Sequence, residues 1–203
     1  MNIWFVRHGE TANNKEKLLQ GRSDAPLNEN GISQAEKARN FFDSQGISID
    51  AVYSSPLCRA VKTARIIAGE DAEITEDELL IEMDYGPFEG TSLLKPDPEI
   101  IRFFSDFVNN PAPEGMESLD HVKERMSKFL QKLKDSDARN VLVATHAIAM
   151  KGALECLSPE SKGAYWSKHI GTCAVYKTVY EGGEFSVPCE VFSGFAEFVK
   201  KSN

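Results

Sequence analysis

Short unbroken apolar runs alternate with stretches of helical period along the chain. Ile3-Trp4-Phe5-Val6 and Val141-Leu142-Val143-Ala144-Thr145 are too short and too continuous for surface helices and read as strands buried on both faces. Ala51-Val52-Tyr53-Ser54 reads as a third strand. Between the first and third, Asn28 is placed as an N-cap, and Ile32, Ala35, Ala38 and Phe42 recur at helical spacing to about Ser44, with Gly46 as the stop. Ser54-Ser55-Pro56 offers a hydroxyl cap and a first-position proline for a helix from Leu57 to Ala68. Ala72 to Ile81 reads as a short strand and a loop. Pro96 and Pro98 open a helix carrying Ile100, Ile101, Phe104, Phe107 and Val108, which Pro111-Ala112-Pro113 breaks. Ser118 then caps a helix with Leu119, Val122, Met126, Phe129, Leu130 and Leu133 on one face. A further helix, Ala147 to Leu157, follows the strand at Val141. Ala174 to Tyr180 and Phe185 to Phe192 predict a closing hairpin around Glu181-Gly182-Gly183. Phe195 to Asn203 shows no usable pattern.

Strand–helix alternation predicts an α/β chain, and 203 residues suffice for one domain with a proper core. The two helices after Tyr85 interrupt the alternation without a linker. Residues from about 85 to 135, above all Tyr85 to Ala112, therefore read as a helical insertion roofing a site within a single domain spanning 1–203.

Composition narrows the function. No apolar run approaches the roughly 18–20 residues a membrane span needs, and the N-terminus lacks the marks of a signal peptide, so a cytoplasmic protein is expected. A net charge of −8 argues against nucleic acid and anionic membranes as partners. It also requires that any anionic substrate be drawn in by a local cluster of Arg and His. Cys58, Cys156, Cys173 and Cys189 form no C-x-x-C pair and read as small buried hydrophobes, with Cys58, beside Arg59, the candidate for exposure and oxidation.

Candidate chemistry gathers at the ends of strands, where ligands bind in open α/β sheets. The first strand stops at Arg7-His8-Gly9-Glu10-Thr11. Arg7 could grip an oxyanion, His8 could act as nucleophile, acid or base, and Gly9 could let a ligand approach the backbone. Taken alone this reads first as a charged strand end running into solvent, and Arg59 alone reads first as a surface ion pair. The strand at Val141, however, also ends on a histidine, His146, and Arg59 opens a helix at the anion-attracting end. Glu82 lies in a loop that could face them, with Asp84 and Glu89 as nearby alternatives. Two cations and two imidazoles around one carboxylate make a poor metal site, and no metal or cofactor is expected. They suit a phosphoryl group, whose transfer depends on positioning and charge neutralisation. His121 and His169 read as surface residues.

These tracts resemble the histidine phosphatase superfamily, which includes cofactor-dependent phosphoglycerate mutases and many small phosphatases. The resemblance runs through Arg7-His8-Gly9-Glu10-Thr11 with Asn14, Gly21, Asp24 and Pro26-Leu27, then Ser54 to Ala64, Glu82 to Gly90, Gly115 to Ser118 and Val141 to His146, in the family's order over about three quarters of the chain. It implies a three-layer α/β/α sandwich with a mostly parallel sheet. It also implies a histidine phosphatase of the acid type, with His8 as the residue phosphorylated and Glu82 as proton donor and acceptor. Arg7, Asn14, Arg59 and His146 would hold the phosphoryl group, and Gln20, Gly21 and Tyr85 would contact the rest of a small phosphorylated substrate. Two departures stand out. Ala147 follows His146 where many members have glycine. The mutases' basic lid is missing as well, since Tyr85 to Met116 offers only Lys95 and Arg102. Hydrolysis of a phosphomonoester is therefore expected first, phosphoglycerate mutase activity second, and a catalytically silent phosphate-binding module third. Phe88, Leu93, Leu94, Phe103 and Phe107 suggest a partly apolar or neutral leaving group. The natural substrate and the oligomeric state stay open.

Overall fold

The computed structural model describes residues 1–195. At its centre β1 (Asn2–Arg7) runs parallel to β4 (Asn140–Thr145) on one side and antiparallel to β5 (Val175–Glu181) on the other. Beyond β4 lie β2 (Ala51–Ser54) and β3 (Ile74–Glu76), both parallel, and β5 carries β6 (Glu184–Phe185) and β7 (Cys189–Phe192). The block β3-β2-β4-β1 is the parallel part of a sheet that the resemblance leads one to expect to be mostly parallel.

Side chains alternate across β1, and each face meets its own helices. Ile3 and Phe5 join a core with α5 (Leu119–Leu133) and α6 (Ala147–Leu157), whereas Trp4 and Val6 join α2 (Glu29–Ser44) and α3 (Cys58–Ala68). All four residues are buried, so the sheet is covered on both sides and the architecture is an α/β/α sandwich. Capping follows the sequence at α2, where Asn28 accepts from Gly31 N, and at α5, where Ser118 accepts from His121 N. Among the described residues no helix is long and apolar enough to cross a membrane.

Several expectations need correction. Pro56 lies outside α3, and Leu57 stands at its N-cap without a side-chain bond. The free amides are served from elsewhere: Ser55 Oγ accepts from Leu57 N at 3.3 Å, and the distant Asp24 carboxylate accepts from Cys58 N at 2.8 Å. Phe107 and Val108 fall beyond α4 (Pro98–Ser105), because the Asp106 carboxylate takes the amides of Val108 and Asn109 and turns the chain. The expected strand from Phe185 to Phe192 is split around Pro188, which has no N–H to give a ladder. Two short helices escape the hydrophobic pattern: α1 (Ala12–Glu16), set by a capping box between Thr11 and Asn14, and α7 (Ala164–Ser167). The α5 helix belongs to the sandwich layer through Val122, Met126 and Phe129. Of the expected C-terminal stretch, all beyond Phe195 is outside the described residues.

Candidate active site

The carboxyl ends of β1 and β4 are adjacent, with Arg7 paired in register with Thr145. His8 and His146, the next residues on each strand, therefore face each other, their ring centroids 5.1 Å apart. Both are buried. His8 Nδ1 lies 2.7 Å from the Gly9 carbonyl, which can only accept, so the proton sits on Nδ1. Nε2 thus keeps its lone pair and accepts from Arg59 Nε at 3.3 Å. Burial holds the His8 pKa well below the usual 6.5, helped by Arg59 and Arg7 and opposed by the Gly9 carbonyl. His146 is likewise well below 6.5, first through burial and then through Arg59, His8 and Arg7.

The two arginines are gripped by backbone. Arg59 is fully buried on the first turn of α3 and donates from Nη1 to the Ser23 carbonyl at 2.8 Å and from Nη2 to the Gly21 carbonyl at 2.6 Å. Glu89 holds that loop in turn, accepting from Gly21 N at 2.9 Å and Ser23 N at 3.3 Å. Arg7 donates from Nη1 to the Ile170 carbonyl at 2.7 Å. The negative chain thus places two buried guanidiniums beside two neutral imidazoles.

Glu82 is buried where α6 begins. Its carboxylate accepts from Ile148 N at 3.2 Å, Ala149 N at 3.0 Å and its neighbour Met83 N at 2.9 Å. The helix N-terminus positions the acid next to His146. Asp84 instead takes Gly86 N and pairs with Arg22 at 3.4 Å, and Glu89 is committed to the loop under Arg59.

A cavity of about 330 Å³ reaches this cluster at Arg7 and Glu82, while His8, Arg59 and His146 lie behind its lining. Arg7, Glu82, Asn14, Gln20 and Tyr85 all line it. Thr11 N fixes Asn14 Oδ1 as an acceptor, which leaves the amide NH2 as the other end of the side chain in the cavity lining. Among the described residues Gln20 Nε2 is buried without a partner. Gly21 stands behind Arg59, and a Cβ there would lie 2.5 Å from the Met83 carbonyl. Tyr85 is both core and wall, edge-on to Phe104. The apolar wall consists of Leu93, Phe104 and Phe107, while Phe103 is in the core and Leu94 points to solvent at 71% exposure. His121 is exposed and bound to Glu117, and His169 is exposed at the cavity rim.

Gly9 does a different job from the one expected. A Cβ on it would lie 2.4 Å from the Gly31 carbonyl, and one on Gly31 would lie 2.1 Å from the Glu10 carbonyl. The missing side chains let α2 approach the end of β1; they do not open space for a ligand. Cys58 is partly exposed, as expected, although burial and the Asp24 carboxylate push its thiol up to about 11 and so disfavour the thiolate.

Sequence reasoning missed Ser55 and Lys151. Ser55 Oγ lies 2.7 Å from His146 Nε2, yet reads as a helix cap. Lys151 and Glu155 are four apart on α6 and look like a surface ion pair. Both are buried and bonded elsewhere, which the otherwise apolar helix around them could have signalled. Among the described residues no three His, Cys, Asp or Glu side chains group as metal ligands.

A family model described as the histidine phosphatase superfamily (branch 1) matches residues 3–189. A 2,3-bisphosphoglycerate-dependent phosphoglycerate mutase of Parvibaculum lavamentivorans is 32% identical over 88% of this chain and 91% of its own length. The adenosylcobalamin/alpha-ribazole phosphatase of Escherichia coli is 29% identical over 72% of this chain and 73% of its own. The crystal structure of a phosphoserine phosphatase from Entamoeba histolytica in complex with 3-phosphoglyceric acid superposes with a TM-score of 0.77 at 26% identity, covering 98% of this chain and 99% of that one.

Proposed function

The chain belongs to the histidine phosphatase superfamily, and from that premise we propose that it is a metal-independent phosphomonoester hydrolase working through phosphohistidine. The observation that carries the reading is the state of His8: its Nδ1 proton is committed to Gly9, and its Nε2 lone pair lies among Arg59, Arg7 and His146. Nε2 attacks phosphorus as the P–O ester bond breaks, and Glu82 gives its proton to the departing alcohol. Water then attacks the phosphohistidine, Glu82 takes the water's proton, and the P–N bond breaks to release phosphate and His8. Arg7, Arg59, His146 and the Asn14 amide hold the phosphoryl oxygens and neutralise charge developing on them. Gln20 and Tyr85 meet the leaving group.

Hydrolysis is favoured over mutase chemistry by the remaining lining of the cavity. A mutase must grip a second phosphoryl group while excluding water. Here Leu93, Phe104 and Phe107 stand beside the single ammonium of Lys151, Lys168 is paired with Glu190, and Arg102 is turned to Asn110 on the surface. The test is steady hydrolysis of p-nitrophenyl phosphate in EDTA, abolished by His8→Ala, with acid-labile phosphate trapped on His8. Interconversion of phosphoglycerates faster than hydrolysis would make the chain a mutase. Phosphate binding without turnover of any phosphomonoester would leave a binding module.

A further inference from the structure

Resting on that hydrolase reading, we propose that Lys151 receives a carboxylate on the leaving group, so that the enzyme selects phosphorylated small acids over neutral phosphomonoesters. Lys151 stands on α6 five residues after His146, an axial step of about 7.5 Å. The helix that presents the second histidine, and whose first amides hold Glu82, thus also presents an ammonium to the same cavity. Lys151 is buried to 9% exposure, donates one proton to the Trp166 carbonyl at 2.7 Å and lies 5.2 Å from the centre of the Phe107 ring. The carbonyl uses one of three donors. Among the described residues no carboxylate lies within ion-pairing distance of Nζ. Glu155, one turn further, gives its oxygens to Ser161 Oγ, Gly163 N and Tyr165 N.

A desolvated ammonium lacking a counter-ion is unfavourable, and burial drives its pKa to about 8, with Arg7 adding to the shift and Glu82 opposing it. A ligand acid would complete the pair inside the cavity. The surroundings suit one negative charge better than a second phosphoryl dianion. The adjacent wall is Leu93, Phe104 and Phe107, no guanidinium pair stands beside Lys151, and Lys168 at the rim is paired with Glu190 at 3.1 Å.

The test compares 3-phosphoglycerate with glycerol 3-phosphate, which has a hydroxymethyl group in place of the carboxylate. Phosphate release by the wild type should favour the acid by at least tenfold in kcat/KM. Lys151→Met and Lys151→Gln, checked for folding by thermal melting, should bring that ratio to within about threefold of one, and Lys151→Arg should restore most of it. A calorimetric arm in the His8→Ala protein measures Kd for the same two ligands, expected to differ tenfold and to converge when Lys151→Met is added. Equal kcat/KM values in the wild type, or a preference that survives Lys151→Met, would overturn the proposal and leave the hydrolase standing. If neither ester nor p-nitrophenyl phosphate is turned over, the hydrolase reading fails and the Kd ratio decides Lys151 by itself.

Discussion

Replacing Ser55 by alanine should slow phosphoryl transfer by about 5–20-fold through the tautomer of His146. The Ser55 hydroxyl accepts from Leu57 N at 3.3 Å and lies 2.7 Å from His146 Nε2. Oγ has two lone pairs and one proton, and the arrangement under test is the one in which that proton is given to Nε2. In that tautomer the His146 proton is on Nδ1, a buried nitrogen with no partner among the described residues, which would then donate to a phosphoryl oxygen. Deleting such a donor outright typically costs about 10²–10³ in rate, which sets the expectation for His146→Ala. Ser55→Ala leaves the ring and removes only its bias. A net hydrogen bond of about 1 kcal/mol corresponds to roughly fivefold in tautomer ratio, and looser anchoring of the ring extends this toward 20-fold. Hydrolysis of p-nitrophenyl phosphate gives the rate, and nitrogen-15 NMR of the imidazoles reads the tautomer. Ser55→Thr should keep both near wild type. A Ser55→Ala protein within twofold of wild type, or one with Nδ1 still protonated, would refute the reasoning.

Two further outcomes follow from burial and packing. His8 and His146 refuse protons when folded and regain a pKa near 6.5 when unfolded, so the unfolded chain binds more protons below that pH and stability falls as pH drops from 6.5 toward the folded values. Urea unfolding between pH 7.5 and 5.5 should show a loss of up to about 1.4 kcal/mol per pH unit for each imidazole, with His8→Asn making the slope shallower; an unaltered slope in that variant would contradict the assignment. Gly9→Ala should destabilise by about 1–3 kcal/mol, since its methyl meets the Gly31 carbonyl and α2 must retreat; an unchanged melting temperature would show that the contact yields freely.

What could be read in advance was local or periodic. The strands β1 and β4 announce themselves because both faces are buried, and Arg7, His8 and His146 stand out because they end such runs. Their convergence with Arg59 and Glu82 follows from strand neighbours in one sheet. The misses share a cause, since each depends on a partner far along the chain. Gly9 is defined by Gly31, the start of α3 by Asp24, and Ser55 by His146, 91 residues away. Lys151 was hidden because its spacing to Glu155 mimics a solvated pair, whereas the true neighbours, Trp166 and Phe107, come from other segments.

The central place of β1 has a consequence for biosynthesis. Its partners are β4, which begins at Asn140, and β5, which reaches Val179 at the pairing register of Asn2. At about 5–20 residues per second a ribosome takes roughly 10–30 s between making Ile3-Trp4-Phe5-Val6 and making both strands that cover it. For that interval β1, whose side chains from Ile3 on are buried on both faces in the fold, waits unpaired together with His8 at its end. A strand made well before the two that enclose it is the place where a nascent chain would engage a chaperone or go astray.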